Sequence, residues 1–374
     1  MVVFALFPSA AAAVGTNVRR ALVSYRAMQR EYYVRSAYLY GPEPGDAGPY
    51  AYLWPFSQAV SATNSVAAMP RIGLHFRSAI LDRLRGLPAY WDRALTPPGY
   101  DSDVVRFGTG TVYYDDNEWI ALDLLAANSL LGGHHPELVR RAQALFKLVL
   151  AGWDRNPSDP CPGGVFWTQR PGETSRNTTT TAPAAQLALQ LYRLTGKFRY
   201  RVWAIRMYSW VRQCLRDPSG LYDDKINSAG TRDPTFWIYN QGSMLGAESL
   251  LYEVTGNRKY LRRAELGARA AMSFFRGPVL DAQPPFFVAI FARDLLELDK
   301  VHHRRPYRAY LAGYASRAWH QDRDPETGTF DFHQQPKVHL LEQAAMVQVY
   351  SLLASESPSR RTRTTPPSTR AGKP

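Results

Sequence analysis

The chain has few cysteines and no long apolar segment. Only Cys161 and Cys214 occur among its 374 residues; they could pair, but we expect free thiols, and they show no metal-ligand spacing. No stretch approaches the roughly 20 apolar residues of a transmembrane helix, so we expect no membrane span. Residues 1–13 are apolar and rich in alanine but lack the basic start of a signal peptide. We therefore expect a cytoplasmic rather than an exported protein.

Several signatures of other protein classes are also missing. The sequence has no glycine-rich phosphate loop and no strand–turn–helix fingerprint of a nicotinamide site. No Ser-His-Asp set stands out, and the eight histidines show no metal-ligand spacing. We therefore expect neither a metal ion nor a cofactor.

The formal net charge of +13 does not indicate nucleic-acid binding. Five of these charges lie after Glu356, in a segment rich in Pro, Ser and Thr, and the others are spread over helical faces without a nucleic-acid-binding motif. We expect a flexible N-terminus over residues 1–16, one domain over 17–355 and a disordered basic tail over 356–374. We also expect a monomer.

A repeat of about sixty residues runs through the chain. The segment LYRLTG at residues 191–196 recurs as LYEVTG at 251–256, and each copy precedes a second helical run. Repeats of this length that contain two antiparallel helices indicate stacked helical hairpins. Pro183 is expected in the first turn of one of these helices, where proline is tolerated.

The loops that open the first helix of each hairpin are regularly spaced. They lie at Trp54, Asp115, Asn177 and Asn240, at intervals of 61, 62 and 63 residues. Further openings are expected at residues 283–285 and 335–336, which makes six hairpins. The pattern predicts an all-α fold, an (α/α)6 barrel whose inner helices begin on one concave face, with an open helical solenoid as the alternative.

The segment YYDDNEW at residues 113–119 is the strongest candidate for chemistry. Asp115 and Glu118 have the spacing of a helix-capping box, but one carboxylate suffices for a cap, and a second would add repulsion. Aromatic rings and amides at the other openings indicate a carbohydrate cleft. The candidate substrate contacts are Trp54, Gln58, Tyr113, Tyr114, Trp119, Trp167, Asn177, Asp223, Tyr239, Asn240 and Gln241, with Asp224 a further possibility.

Asp115 and Asp116 are the candidate catalytic pair. Retaining glycosidases place their two carboxyl groups about 5–5.5 Å apart and inverting ones about 6.5–9.5 Å, and adjacent residues at a loop–helix junction suit the shorter distance. The helix N-terminus would keep one carboxylate ionised as a nucleophile. Its charge would raise the pKa of the other, which would remain protonated as the general acid.

The segments YYDDNEW (113–119), GVFW (164–167), YNQG (239–242) and WPFSQ (54–58), with the Thr-Gly helix ends, resemble glycoside hydrolase family 76, the endo-α-1,6-mannanases. The resemblance covers residues 18–355 in the right order. It implies an (α/α)6 barrel and hydrolysis of α-1,6-linked mannose backbones with retention. It also implies that Asp115 is the nucleophile and Asp116 the acid/base, and related fungal proteins suggest transglycosylation as an alternative outcome.

Two other functions fit parts of the pattern. Paired aspartates in an all-helical protein suggest the magnesium-diphosphate chemistry of terpene synthases, but the last position of their Asp-Asp-x-x-Asp motif is Trp119 here. A non-catalytic carbohydrate-binding barrel is the second alternative. It predicts that either aspartate can be removed without loss of function.

Overall fold

Thirteen helices make up most of the described chain. The computed structural model describes residues 10–42, 48–108, 110–302, 305–332 and 339–355. In chain order the helices are α1 (Ala10–Tyr32), α2 (Leu53–Ala67), α3 (Arg77–Gly86), α4 (Tyr114–Leu130), α5 (Pro136–Ala151), α6 (Thr178–Thr195), α7 (Phe198–Cys214), α8 (Ile238–Thr255), α9 (Arg258–Phe274), α10 (Pro278–Asp281), α11 (Pro285–His302), α12 (Arg305–Gln321) and α13 (Leu340–Ala354).

Strands are confined to short antiparallel pairings in the loops. Short 3-10 turns lie at Gly73–Phe76, Leu87–Tyr90 and Val105–Phe107. Of the strands, β1 (Tyr33–Val34) pairs with β2 (Leu39–Tyr40), β3 (Trp91–Asp92) with β4 (Gly99–Tyr100), and β5 (Arg176–Asn177) with β6 (Lys225–Ile226), which also pairs with β7 (Arg232–Asp233).

The helices form two concentric rings. The inner ring runs α2, α4, α6, α8, α11 and α13, and α13 packs back against α2, so the ring closes. The outer helices α3, α5, α7, α9 and α12 each pack on the inner helix that precedes them. The predicted (α/α)6 barrel is confirmed, and the open solenoid is wrong.

The sixth hairpin is formed by the two ends of the domain. The outer helix that covers α13 is α1, the first helix of the chain. Gln343 on α13 donates a hydrogen bond from its side chain to the carbonyl oxygen of Ser24 on α1, at 2.8 Å. The sixth pair of helices is therefore assembled across the whole length of the fold.

Burial differs between the rings as their sequences predict. Residues 238–251 of α8 are buried without interruption, because an inner helix has neighbours on every side. The buried residues of α9 instead follow helical spacing at positions 260, 261, 264, 268 and 271, which marks one core-facing stripe. The predicted Thr-Gly helix ends are confirmed: Gly196 and Gly256 have φ angles of 67° and 65°, the left-handed conformation that glycine adopts without strain.

Several local predictions differ from the structure. Helix α1 begins at Ala10, within the segment expected to precede the fold. Helix α6 begins at Thr178, so Pro183 lies inside it rather than in its first turn, and no N–H is present there to bond the carbonyl of residue 179. The residue that caps α4 is Tyr113, and Glu118 is wholly buried, so no capping box forms. The opening at 335–336 and the tail 356–374 lie outside the described residues.

The expectation of free thiols is also wrong. Cys161 and Cys214 form a disulfide, with their Cα atoms 6.1 Å apart. Residue 161 lies in the loop after α5 and residue 214 ends α7, which are neighbouring outer elements. The indole Nε1 of Trp210 donates to the carbonyl oxygen of Cys161 at 3.0 Å, so the loop is held against α7. Spacing alone could not reveal this tertiary contact.

Candidate active site

A cavity of about 540 Å³ opens at the end of the barrel where the inner helices begin. It is lined by Tyr52, Trp54, Pro55, Ser102, Tyr113, Asp115, Asp116, Trp119, Trp167, Asn177, Thr179, Asp224, Lys225, Tyr239, Phe287, His339 and Leu341. We call this cavity the cleft. The convergence predicted for the loop openings therefore holds for the elements that surround it.

The same helical position supplies cleft residues in five of the six inner helices. The second residue of α2, α4, α6, α8 and α13 lines the cleft, and these residues are Trp54, Asp115, Thr179, Tyr239 and Leu341. In α11 the third residue, Phe287, takes this place. Asp115 is thus the member of this ring of equivalent positions that carries a carboxylate.

In α8 and α4 the fourth residue of the inner helix binds the preceding loop rather than lining the cleft. In α8, Gln241 accepts a hydrogen bond from the amide of Tyr222 at 2.9 Å and donates to the carbonyl oxygens of Tyr222 and Trp237. In α4, Asn117 makes the same contacts with the backbone of Tyr100 and the carbonyl of Tyr113. These amides attach the preceding loop to the helix. Gln241, predicted to contact substrate, faces the protein instead.

Asp115 is half-buried at the floor of the cleft. Its Oδ1 accepts a hydrogen bond from the amide of Asp116 at 3.1 Å, and the side chain of Trp167 also hydrogen-bonds to it. Burial raises the pKa of the Asp115 carboxyl to about 7, and the amide and indole donors oppose the rise because they favour the ionised form.

Asp116 also lines the cleft but is more deeply buried. Burial raises the pKa of its carboxyl well above the ordinary value, and the neighbouring charge of Asp115 raises it further. Hydrogen bonds from the Asp116 amide and the Trp167 indole oppose the rise in the Asp115 pKa, whereas only burial and the Asp115 charge act on the Asp116 pKa. The surroundings therefore favour an ionised Asp115 beside a protonated Asp116.

A third carboxylate lies in the cleft, and it is Asp224 rather than Asp223. Asp223 points away from the cleft and forms an ion pair with Arg232 at 2.5 Å. Asp224 lines the cleft and accepts a hydrogen bond from the Nδ2 of Asn240 at 3.1 Å. Burial raises the pKa of the Asp224 carboxyl, which the Asn240 hydrogen bond and the nearby Lys225 oppose. Asn240, predicted to contact substrate, holds Asp224 instead.

Aromatic rings form the walls of the cleft. Trp54 and Trp119 lie with ring centroids 6.3 Å apart. Tyr239 stacks on Phe287 at 3.9 Å with an angle of 3° between the ring planes. Such flat apolar faces, set beside carboxylate and amide groups, suit sugar rings, which present C–H groups on their faces and hydroxyls at their edges.

Trp167 is the most exposed of the cleft indoles, with 39% of its surface accessible. Its ring meets that of Tyr113 edge-on at 5.2 Å. The GVFW segment that carries it needs Gly164, because a Cβ there would lie 2.5 Å from the Trp210 ring and the φ angle is +84°. This close packing places Trp167 over the start of α4.

A buried ion pair supports the same loop. Arg176 is wholly buried and its Nη1 donates to Oδ2 of Asp154 at 2.7 Å. Its guanidinium also donates to the carbonyl oxygens of Pro160, Cys161 and Asn227. The next residue, Asn177, lines the cleft, and no described residue hydrogen-bonds its Oδ1. Asn177 therefore offers an acceptor to a ligand.

Two further predicted contacts lie outside the cleft. Gln58 is buried one turn along α2, where its Oε1 accepts a hydrogen bond from Gln348 of α13 at 3.2 Å. Tyr114 is buried against Gly152, at which a Cβ would lie 2.4 Å from the Tyr114 ring. Both side chains secure neighbouring elements of the barrel.

Sequence reasoning missed several residues that line the cleft. They are Tyr52, Pro55, Ser102, Thr179, Lys225, Phe287, His339 and Leu341, and Asp224 was only a further possibility. Leu341 could have been found by aligning the first turns of the inner helices and taking the second residue of each. Lys225 and Ser102 lie in loops, for which the repeat carries no comparable signal.

The described residues contain no group of three or more His, Cys, Asp or Glu side chains arranged to hold a metal ion. None of the described helices is long and apolar enough to cross a membrane. The chemistry that the cleft offers is that of carboxyl groups: one favoured as an anion, one favoured as an acid, and a third that is hydrogen-bonded.

Comparison with known proteins agrees with this architecture. The chain is 26% identical over 196 residues to mannan endo-1,6-alpha-mannosidase DCW1 of Saccharomyces cerevisiae, a match that covers 49% of this chain and 43% of that protein. It is 28% identical over 204 residues to the protein of the same name from Candida albicans, covering 51% of this chain and 44% of that one. The chain thus spans less than half the length of these curated relatives.

A solved structure of an alpha-1,6-mannanase from Salegentibacter, an inactive variant in complex with alpha-1,6-mannotriose, superposes with a TM-score of 0.74 at 19% identity, covering 90% of this chain and 99% of that one. A family 76 glycoside hydrolase from a bovine Bacteroides thetaiotaomicron strain superposes with a TM-score of 0.80 at 24% identity, covering 90% and 77%. At these identities the structures show a shared fold. The sequence profile of glycosyl hydrolase family 76 matches residues 19–364, and the chain therefore belongs to that family.

Proposed function

We propose that this protein is a retaining glycoside hydrolase that cleaves α-1,6-linked mannose backbones. The observation that carries the proposal is the pair Asp115 and Asp116 in the first turn of α4, at the floor of an aromatic-walled cleft. The two carboxyl groups have different surroundings, and the more buried Asp116 has the more strongly raised pKa. Acid and nucleophile roles need such a difference.

In the proposed mechanism, the Asp115 carboxylate attacks the anomeric carbon of the mannose unit while Asp116 protonates the departing O6 oxygen. The glycosidic bond breaks and a covalent mannosyl–Asp115 ester forms. Asp116, now ionised, removes a proton from a water molecule, which attacks the anomeric carbon and releases Asp115. Two inversions restore the original configuration. Consecutive positions in the first turn of α4 that both line the cleft are compatible with the short carboxyl separation of retaining enzymes.

The names of the relatives support the substrate class. Two curated relatives from yeasts are called mannan endo-1,6-alpha-mannosidases. The inactive Salegentibacter variant has two consecutive aspartates replaced by asparagine and binds alpha-1,6-mannotriose. We extend this to the present chain by proposing that Asp115 and Asp116 are the equivalent pair.

The cleft side chains receive corresponding roles. Trp54 and Trp167 serve as stacking platforms for successive mannose rings, because both line the cavity and are partly exposed, whereas Trp119 is buried and borders the cavity from behind. Asn177 and Asp224 bind mannose hydroxyls, since the Oδ1 of Asn177 has no partner among the described residues and Asp224 is held in place by Asn240.

The proposal is tested by proton NMR of an unbranched α-1,6-mannan incubated with the protein. We expect early release of α-configured reducing ends, lost in Asp115→Asn and in Asp116→Asn. A matched control is Glu137→Gln, which changes the exposed first-turn carboxylate of the outer helix α5 and should leave the rate unchanged.

Other outcomes separate the parts of the proposal. Initial β-anomers would keep the substrate but overturn retention. Products longer than the starting chains, formed when α-1,6-mannotriose is added, would show that a sugar accepts the mannosyl group, as in a transglycosidase. Binding of mannotriose without any bond cleavage, unchanged in both aspartate variants, would favour the non-catalytic carbohydrate-binding barrel.

A further inference from the structure

A second cavity lies on the barrel axis, beyond the floor of the cleft. Its volume is about 490 Å³, and its lining includes Asp123, Gln186, Arg293 and Asp294. On α4, α6 and α11 these residues follow the cleft residues Asp115, Thr179 and Phe287 by six to eight positions, which corresponds to about 9–12 Å along the helix. The two cavities therefore occupy successive levels of the same axis.

Trp119 lies between the two levels. It lines the cleft and packs with Tyr239 and Ile290 in a small apolar cluster separate from the main core. The guanidinium carbon of Arg293 lies 5.3 Å from the centroid of the Trp119 ring, within the range of a cation–π contact. Arg293 thus contacts from below an indole that also packs against the cleft residues Trp54, Tyr239 and Phe287.

Two buried acids lie in the electrostatic field of Arg293. Its Nε lies 3.6 Å from Oδ1 of Asp294, and its charge also acts on Asp123, which is four residues beyond Trp119 on the same helix. Burial raises the pKa of Asp123 to about 7 and that of Asp294 to about 6, and the charge of Arg293 opposes both shifts. Arg293 is therefore the cation shared by two buried acids.

Hydrogen bonds extend this arrangement to other helices. Ser61 and Asn64 of α2 donate to Asp123, at 2.6 and 3.2 Å. Gln186 of α6 donates to Asp294 at 3.3 Å and to the backbone carbonyl of Ser243 on α8 at 2.8 Å. With α4 and α11, the network joins five of the six inner helices directly below the cleft.

We propose that Arg293 is a positioning residue that holds Trp119 as the floor of the substrate cleft, with Asp294 paired to its guanidinium. This inference rests on the proposed function, because it assigns a role within the same carbohydrate site. Burying two acids beside a partly exposed cation is costly compared with filling the space with apolar side chains. The arrangement instead places a directional contact under a ring that borders the cleft.

The test compares Arg293→Met and Arg293→Lys with a matched control, Arg141→Met. Arg141 stacks on Trp91 with its guanidinium carbon 3.6 Å from the ring centroid, so the control removes the same kind of contact from a tryptophan that does not line the cleft. Steady-state kinetics on unbranched α-1,6-mannan and calorimetric binding of α-1,6-mannotriose, the latter in an Asp116→Asn background, supply the readouts.

We expect Arg293→Met to raise KM and the mannotriose Kd by about 5- to 30-fold, the range that a desolvated cation–π contact provides, with kcat within about twofold. A platform that binds substrate and transition state equally affects KM alone. Arg293→Lys should recover most of the loss because it retains the cation. Arg141→Met should change neither constant.

Two results would overturn the inference. If Arg293→Met lowers the melting temperature and the active fraction but leaves KM and Kd unchanged, the network only stabilises the barrel. If Arg293→Lys is as impaired as Arg293→Met, the cation is not what positions Trp119. Failure of the proposed function is distinguishable, because the unmodified protein would then not cleave mannan, whatever its affinity for mannotriose.

Discussion

At the scale of single residues, two adjacent carboxyl groups acquire different proton affinities from their surroundings. Asp115 receives hydrogen bonds from the Asp116 amide and from Trp167, whereas Asp116 is affected by burial and by the charge of its neighbour. Ionisation of the first therefore favours protonation of the second. The proposed division into nucleophile and acid follows from this asymmetry.

The two roles can be separated by azide rescue with an activated aryl α-mannoside of the α-1,6 series. In Asp115→Ala, azide should enter the nucleophile's space and give the β-mannosyl azide by a single inversion. In Asp116→Ala, the covalent intermediate still forms, so azide should give the α-mannosyl azide by a second inversion. Without azide we expect turnover of natural mannan to fall by about 10³-fold in each variant. Identical azide products from both variants would contradict the assignment.

Glu118 provides a stability test that is independent of catalysis. Its carboxyl is wholly buried, and burial, with the charge of Asp115 as a smaller cause, raises its pKa well above the ordinary value. A carboxyl whose pKa is higher in the folded than in the unfolded protein stabilises the fold fully at pH values below its unfolded-state pKa of about 4.3. As the pH rises from there towards the folded-state pKa, the free energy of unfolding falls by about 1.4 kcal/mol per pH unit.

Glu118→Gln removes the group that titrates. The difference in melting temperature, variant minus unmodified protein, should therefore increase as the pH is raised from 4 to 8. Calorimetry at intervals of one pH unit would measure it. Glu137→Gln, at an exposed position on α5, should show no such increase. If the difference in melting temperature between Glu118→Gln and the unmodified protein stays constant with pH, the Glu118 carboxyl is not buried in its neutral form.

At the scale of elements, the loop from Asp154 to Val165 is held at several points. The disulfide links it to the end of α7, and Arg176 binds its carbonyl groups and Asp154. This loop leads directly into segment 164–167, which ends at Trp167. The position of one cleft wall therefore depends on contacts made outside the cleft.

The disulfide should contribute substantially to stability. It closes a loop between residues separated by 53 positions, for which chain entropy predicts about 4 kcal/mol. We expect Cys161→Ser with Cys214→Ser to lower the free energy of unfolding in urea by about 2–4 kcal/mol. Mass spectrometry after alkylation without reductant should find no modified cysteine, and two modified cysteines would contradict the pairing.

The same bond bears on the compartment. Disulfides persist in oxidising environments and are rare in the cytosol, so the pairing argues against the cytoplasmic location that the first residues led us to expect. We propose an oxidising compartment, in keeping with the proposed action on mannose polymers. Finding the bond reduced in protein isolated from its native cells under thiol-trapping conditions would overturn this proposal.

At the scale of the whole molecule, closure of the ring depends on the chain's first described helix. The outer face of α13 is covered by α1, whose Arg20 lies over the rings of Trp319 and Tyr350 and whose Ser24 carbonyl binds Gln343. The two ends of the domain are thus one structural unit. The proposal of a monomer agrees with a barrel that closes on itself, and light scattering at the chain mass of 42.2 kDa would check it.

A chain that begins at Tyr33 lacks α1 and leaves the outer face of α13 bare. We expect its single calorimetric transition to broaden and its melting temperature to fall by 10 °C or more, because a closed ring transmits the loss to every inner helix. In an open stack each repeat contacts only its neighbours. A transition as sharp as that of the full chain, shifted by less than about 2 °C, would contradict cooperative closure.

The sequence by itself determined the class of fold and the position of the proposed catalytic pair. The sixty-residue recurrence of a Thr-Gly helix end required helical hairpins, since helix periodicity and a left-handed glycine are local properties of the chain. The regular spacing of the helix-opening loops at Trp54, Asp115 and Asn177 also predicted at which end of the barrel the cleft lies. These features depend on residues close together along the chain.

Only the tertiary structure decided which side chains reach the cleft. The sequence could not choose between Asp223 and Asp224, because neighbours in a loop point in directions set by distant partners, here Arg232 and Asn240. Gln241 looked like a ligand contact, but it binds the backbone of a loop nineteen residues earlier. The disulfide and the pairing of α1 with α13 join positions far apart in sequence, and such contacts exist only once the ring has closed.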